Sequence, residues 1–136
     1  MGQNGICTYT NDDLGKLLLR VTLGVLMLFH GIAKVQDGIG GIMAMLEGYG
    51  LPTFIAYGVY LGEVLAPIML IVGYRVKIAS ILVLGTMLFI LAFPYADKIF
   101  SLTKHGSWAI EIHMFYLMGA ISVFFFGAGK YSIDKR

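Results

Sequence analysis

From Ile78 to Ala96 nineteen consecutive residues carry no charged side chain, and the eighteen from Ile112 to Gly129 repeat the pattern. A helix that crosses lipid needs about 20 mostly apolar residues, whereas a chain this short has little interior in which to hide such runs from water. The charged positions divide the chain into four apolar windows, predicting helices over Leu14–Val35, Pro52–Gly73, Ile78–Tyr95 and Ser107–Gly127. The expected fold class is all-α, an integral membrane four-helix bundle formed by residues 1–136 as one domain. Composition agrees: 58% of the 136 residues are hydrophobic and only 18 are charged, which excludes most soluble enzyme classes.

The connections are unequal. Residues 36–51 are glycine-rich with a short apolar patch, predicting a short amphipathic or re-entrant segment between the first and second helices. Tyr74-Arg75-Val76-Lys77 leaves room only for a tight hairpin, and residues 97–106 read as a polar, exposed loop with a solvated His105. Pro52 suits a helix start, Pro67 predicts a kink within the second helix, and Pro94 helps to end the third. The polar first 13 residues argue against a secretory signal. Lys16, Arg75, Lys77, Lys130, Lys135 and Arg136 fall at the end that holds both termini, with Arg20 just inside, which predicts cytoplasmic termini in a bacterial inner membrane. Cys7 would then sit in reducing surroundings, and a lone cysteine excludes an internal disulfide. The dispersed net charge of +2 gives no nucleic-acid surface.

Ionisable groups inside a span are costly and usually face a partner or a wet cavity. Here they are Arg20, His30, Lys34, Glu63, Glu111 and His113. At about 100° per residue, His30 and Lys34 lie within about 80° of Arg20, so the three share one stripe. Depth along the helices predicts an Arg20–Glu63 ion pair and a second polar group of His30 with Glu111, joined by Lys34. Trp108, Glu111, Phe115, Met118 and Ser122 form one stripe of the fourth helix, an aromatic and sulfur-lined wall beside a carboxylate. Arg20, His30, Lys34, Glu63, Trp108 and Glu111 are therefore the candidate ligand-binding residues, with no catalytic residue and no metal site assigned. Structural glue between helices is the competing reading of the same charges. His30 and His113, at one depth on different helices, form an alternative haem-ligand pair.

The order Arg20…Leu23-Gly24…Phe29-His30-Gly31…Lys34, Gly50-Leu51-Pro52, Gly62-Glu63, Arg75, Trp108…Glu111 and Gly127…Gly129…Ser132-Ile133-Asp134 resembles the DoxX family of small four-helix membrane proteins. The resemblance implies association with redox systems, either quinone-linked sulfur oxidation or membrane oxidoreductase assemblies in thiol stress. Lacking a cysteine pair, this chain would leave thiol chemistry to a partner protein. The leading expectation is a membrane subunit of an oxidoreductase system whose polar pocket binds a quinone or a small acidic ligand. A non-catalytic anchor for a redox partner, in a complex or as a homo-oligomer, is the alternative, and a small transporter ranks last.

Overall fold

A computed structural model describes residues 11–134; Cys7 and the basic pair Lys135 and Arg136 lie outside the described residues. The first helix, α1 (Asp12–Asp37), starts where the Asn11 side chain accepts a hydrogen bond from the Leu14 amide, with Asp12 and Asp13 in the first turn favoured by the helix dipole. A short helix α2 (Gly40–Gly48) follows, then α3 (Thr53–Val72), α4 (Val76–Ala92) and α5 (Glu111–Phe126). The four longer helices lie within about four residues of the apolar windows, and the segment after α1 is helical. Among the described residues there is no strand, only an isolated bridge between Leu102 and Trp108.

Helix α1 packs on α3 and α5, α3 on α4, and α4 on α5, so the four longer helices close into a ring. Leu23, Met27, Leu70, Val83, Met87, Ala120 and Val123 fill its centre. α2 covers one end through Leu46, which packs with Ile39 and Ala56. Tyr49, just beyond α2, donates to the Phe93 carbonyl at 2.8 Å, satisfying a group that the end of α4 leaves open. α1 and α3 are long and apolar enough to cross a membrane, while α4 and α5 are apolar but shorter.

Pro67 does not simply kink α3. Lacking an N–H, it cannot bond the Glu63 carbonyl, and its ring would press on that carbonyl in a regular helix. The helix instead widens into a π-turn over Leu61–Leu65, in which the Ala66 amide bonds the Leu61 carbonyl. The Glu63 carbonyl is directed at α1, where only a glycine admits it: a Cβ on Gly31 would lie 1.9 Å from that oxygen. One heptad earlier, a Cβ on Gly24 would lie 2.8 Å from the Pro67 carbonyl, and on α3 itself Gly62 leaves room for the Thr86 side chain of α4. The close-approach sites are thus spaced seven apart on α1, a pattern that a search for GxxxG pairs passes over.

Gly31→Ala should cost about 1–3 kcal/mol or more, because backbone rather than a flexible side chain must yield. Gly85→Ala, where an added Cβ meets nothing within 4 Å, should be neutral or mildly stabilising. Thermal unfolding of the two purified variants checks the contrast.

Candidate functional site

The buried charges separate into distinct places instead of one stripe. Arg20 is 0% exposed, yet it does not pair with Glu63. Its Nη1 donates to the carbonyls of Leu70 at 2.5 Å and Ile71 at 2.9 Å, and Nη2 donates to the Tyr131 carbonyl at 2.7 Å. The expectation of an Arg20–Glu63 pair considered carboxylates alone. The last turn of α3 offers a denser set of acceptors, because the final carbonyls of a helix have no N–H of their own and carry its negative dipole end. The long side chain follows that field toward the end of the bundle rather than inward.

The chain after α5 completes this cap. Ile133 and Asp134 donate their amides to the carbonyls of Val72 (3.2 Å) and Gly73 (3.0 Å). The Asp134 carboxylate accepts from the amides of Arg75 (3.0 Å) and Val76 (3.1 Å), capping the start of α4 from a distant part of the chain at the point where Arg75, the N-cap residue, adopts a positive φ of 44°. Lys130 donates its amide to Asp13. This clasp joins Arg20 and Asp134, which the sequence presents as separate motifs; Arg75 enters it through its backbone amide, while its guanidinium lies over the Tyr74 ring.

Lys34 takes the place assigned to Arg20. Its ammonium pairs with the Glu63 carboxylate, which is 2% exposed. Gly31 locks α1 against the π-turn at Glu63, so Lys34, one turn further along α1, is carried over the carboxylate. His30 is exposed and stands edge-on to Tyr116 at 5.9 Å between centroids, so it does not join Glu111. His113 packs on Tyr95 at 4.5 Å, with Nδ1 buried and without a hydrogen-bond partner. The two histidines each engage a different tyrosine ring, and no cluster of three or more His, Cys, Asp or Glu side chains suited to a metal occurs among the described residues.

Glu111 is exposed at the first turn of α5, where the dipole favours its charge. It stands at one end of a groove of about 850 Å³ between α1 and α5. Leu19, Thr22, Leu23 and Leu26 form one wall; Trp108, Ile112, Phe115, Tyr116, Met118 and Ser122 form the other. All five residues of the expected aromatic and sulfur stripe line this groove. Arg20, His30, Lys34 and Glu63 do not. Tyr116 is the residue that sequence reasoning passed over: it lines the groove and also touches His30.

The DoxX family model matches residues 15–96, more than half of the chain. The chain belongs to the DoxX family. The DoxX match covers α1 to α4, hence the Lys34–Glu63 pair and two of the three acceptors of Arg20. Among curated proteins, one from Bacillus subtilis (strain 168) named "Putative oxidoreductase CatD" is 32% identical over 76 residues, 56% of this chain. The matched segment spans about half the length of that relative, 56%. No solved structure matches this DoxX chain.

Two outcomes follow from this geometry. Lys34→Met, which leaves the Glu63 carboxylate buried and unpaired, should destabilise by about 3–5 kcal/mol, and the Lys34→Met/Glu63→Leu double variant should regain most of it. A thermal or chemical unfolding double-mutant cycle reads that coupling. Arg20→Gln should cost about 3 kcal/mol, since three carbonyls lose a donor worth about 1 kcal/mol each; Glu63→Gln in the same assay should not rescue it.

Proposed function

We propose that this DoxX protein is a membrane-embedded component of an oxidoreductase system, and that the groove between α1 and α5 binds a lipophilic ring ligand of the quinone class. The observation that carries the reading is the groove itself. Its volume of about 850 Å³ suits a small-molecule site, its walls are aromatic, aliphatic and sulfur side chains, and its few polar groups are gathered on the same two helices. Family membership and the oxidoreductase named among its relatives support the redox association.

In this reading the four longer helices cross the bilayer, with both termini and the Arg20 clasp on the cytoplasmic side, where the basic residues gather. Trp108 and Phe115 flank the ring, and Leu19 and Leu26 meet its apolar substituents. The Thr22 and Tyr116 hydroxyls donate to quinone carbonyls, whereas a quinol hydroxyl donates to the Glu111 carboxylate. Tyr116 also stands edge-on to His30 of α1, which places an imidazole beside the groove. Lys34 and Glu63 lie outside the groove and hold α1 to α3; Arg20 holds the end of the bundle. The ligand residues are then Trp108, Glu111, Phe115 and Tyr116, and the reading needs no metal.

A second reading, an anchor for a redox partner, draws on the clasp. It presents Arg75, Lys77 and Lys130 as exposed basic groups on one rim, suited to an acidic partner surface. The partner would then be lost on changing those residues and kept on changing Glu111.

Solvent extraction and an absorbance spectrum of the purified protein should find quinone, and the same spectrum tests for haem at His30 and His113. A short-chain ubiquinone or menaquinone analogue at about 100 times its Kd should raise stability by about 2.7 kcal/mol, read as a rise in Tm. Phe115→Ala should remove that rise. An unchanged Tm with every analogue, together with a quinone-free extract, defeats the proposal.

A further inference from the structure

Phe100 is 99% exposed and Leu102 is 71% exposed. Other bare aromatic residues, such as Phe29, Phe115 and Phe125, lie on helices that lipid can cover. Phe100 and Leu102 belong to no helix. They lie in the connection between α4 and α5, which the sequence presents as a polar loop in water, and nothing in that reading accounts for two large apolar side chains held out from the protein.

The connection is folded. Leu102 bridges to Trp108, the Thr103 amide donates to the Ser107 carbonyl at 2.7 Å, and the Ala109 amide donates to the Ser101 carbonyl at 3.0 Å. The Gly106 amide closes the turn on the Thr103 carbonyl at 2.9 Å, with Gly106 at a φ of +85°. The Thr103 and Ser107 hydroxyls bond each other at 2.7 Å, and the Trp108 indole N–H donates to the Ile99 carbonyl. These bonds fix the shape of the turn, while the amides of Phe100, Leu102, Lys104 and His105 find no acceptor among the described residues, which suits a zone where headgroups and their water remain within reach.

Helix lengths say where that setting is. α4 has 17 residues and α5 has 16, about 26 Å and 24 Å of rise, against about 30 Å of hydrocarbon. If both cross the bilayer, as proposed above, their joined ends stop about 4–6 Å short of the hydrocarbon boundary by the same arithmetic. The hairpin therefore begins at or below the headgroups. Tyr95 and Trp108 stand at its base, ring types that favour this zone. Lys98 is held over the Tyr95 ring, and Lys104 is exposed near the turn beside His105. With Asp97 and Glu111 as the facing acids, the charges are balanced, so apolar insertion rather than net charge supplies the attraction.

We infer that the 99–110 hairpin seats in the bilayer interface at the end of the bundle opposite the clasp, with Phe100 and Leu102 inserted among the acyl chains. Its partner is a lipid surface. The inserted pair completes the apolar length that α4 and α5 lack, and fixes the depth of the α5 wall of the groove.

The test uses full-length protein in phospholipid nanodiscs, with an environment-sensitive fluorophore on Phe100→Cys in a Cys7→Ser background. Quenching by lipids with a nitroxide near the glycerol end of the chain should exceed quenching by aqueous iodide several-fold. Iodide quenching equal to or above lipid quenching overturns the inference and leaves water or a protein partner as the occupant. Should the labelled variant fail to fold, Trp108, the chain's one tryptophan, gives a second reading in the unmodified protein. Bromines near the headgroup should quench it more than bromines near the chain ends, and the reverse order, or no quenching, overturns the inference. Quinone binding, followed separately by the Tm of the Phe115 variant, can fail without affecting either result.

Discussion

A guanidinium with no access to solvent donates to carbonyl oxygens from two separate parts of the chain, and the end of the bundle is arranged around it. Arg20 is costly to bury, and the cost is offset because the end of α3 is equally costly to leave bare. Each supplies what the other lacks. Gly73 has no side chain where a Cβ would lie 2.9 Å from Nη1 and 2.3 Å from the Ser132 Cβ, so the clasp can close. Asp134 then starts α4 by accepting from its first amides. A charge on the first helix thus determines how the third helix ends, and the segment that completes its coordination determines how the fourth begins.

At mid-bundle the controlling feature is an absent hydrogen. Pro67 denies the Glu63 carbonyl its helical partner, α3 widens into a π-turn, and the carbonyl faces the one residue type on α1 able to receive it. The same displacement sets the Glu63 side chain beneath Lys34. Backbone and side chain of one residue therefore lock the same pair of helices, which leaves α1 free on its other side to form a wall of the groove with α5.

Helix positions were legible in the sequence because they depend on charge spacing, which a bilayer enforces strictly. The wall of the groove was legible for a related reason: Trp108, Glu111, Phe115, Met118 and Ser122 follow helical periodicity along or beside one helix, and no partner is needed to see that they share a face. Pairings between helices were not. Arg20 could be assigned to Glu63 only by ignoring backbone acceptors, which carry no letter of their own in a sequence. Lys34 reached Glu63 because Gly31 and the π-turn set the register of α1 on α3, and a π-turn follows from Pro67 only after the packing around it is known. Tyr116 went unassigned, since its place in the groove and its contact with His30 depend on the rotation of α5 against α1.

The Tyr131 carbonyl lies 111 residues beyond Arg20. At about 5–20 residues per second of synthesis, the first helix is made about 6–22 seconds before the third acceptor of its buried cation exists. During that interval Arg20 lacks its Tyr131 acceptor, and the cap that Asp134 supplies to the first amides of α4 is missing as well. A chain interrupted before Tyr131 therefore leaves both ends of the clasp open at once: one of the three acceptors of the Arg20 guanidinium on one side and the start of α4 on the other.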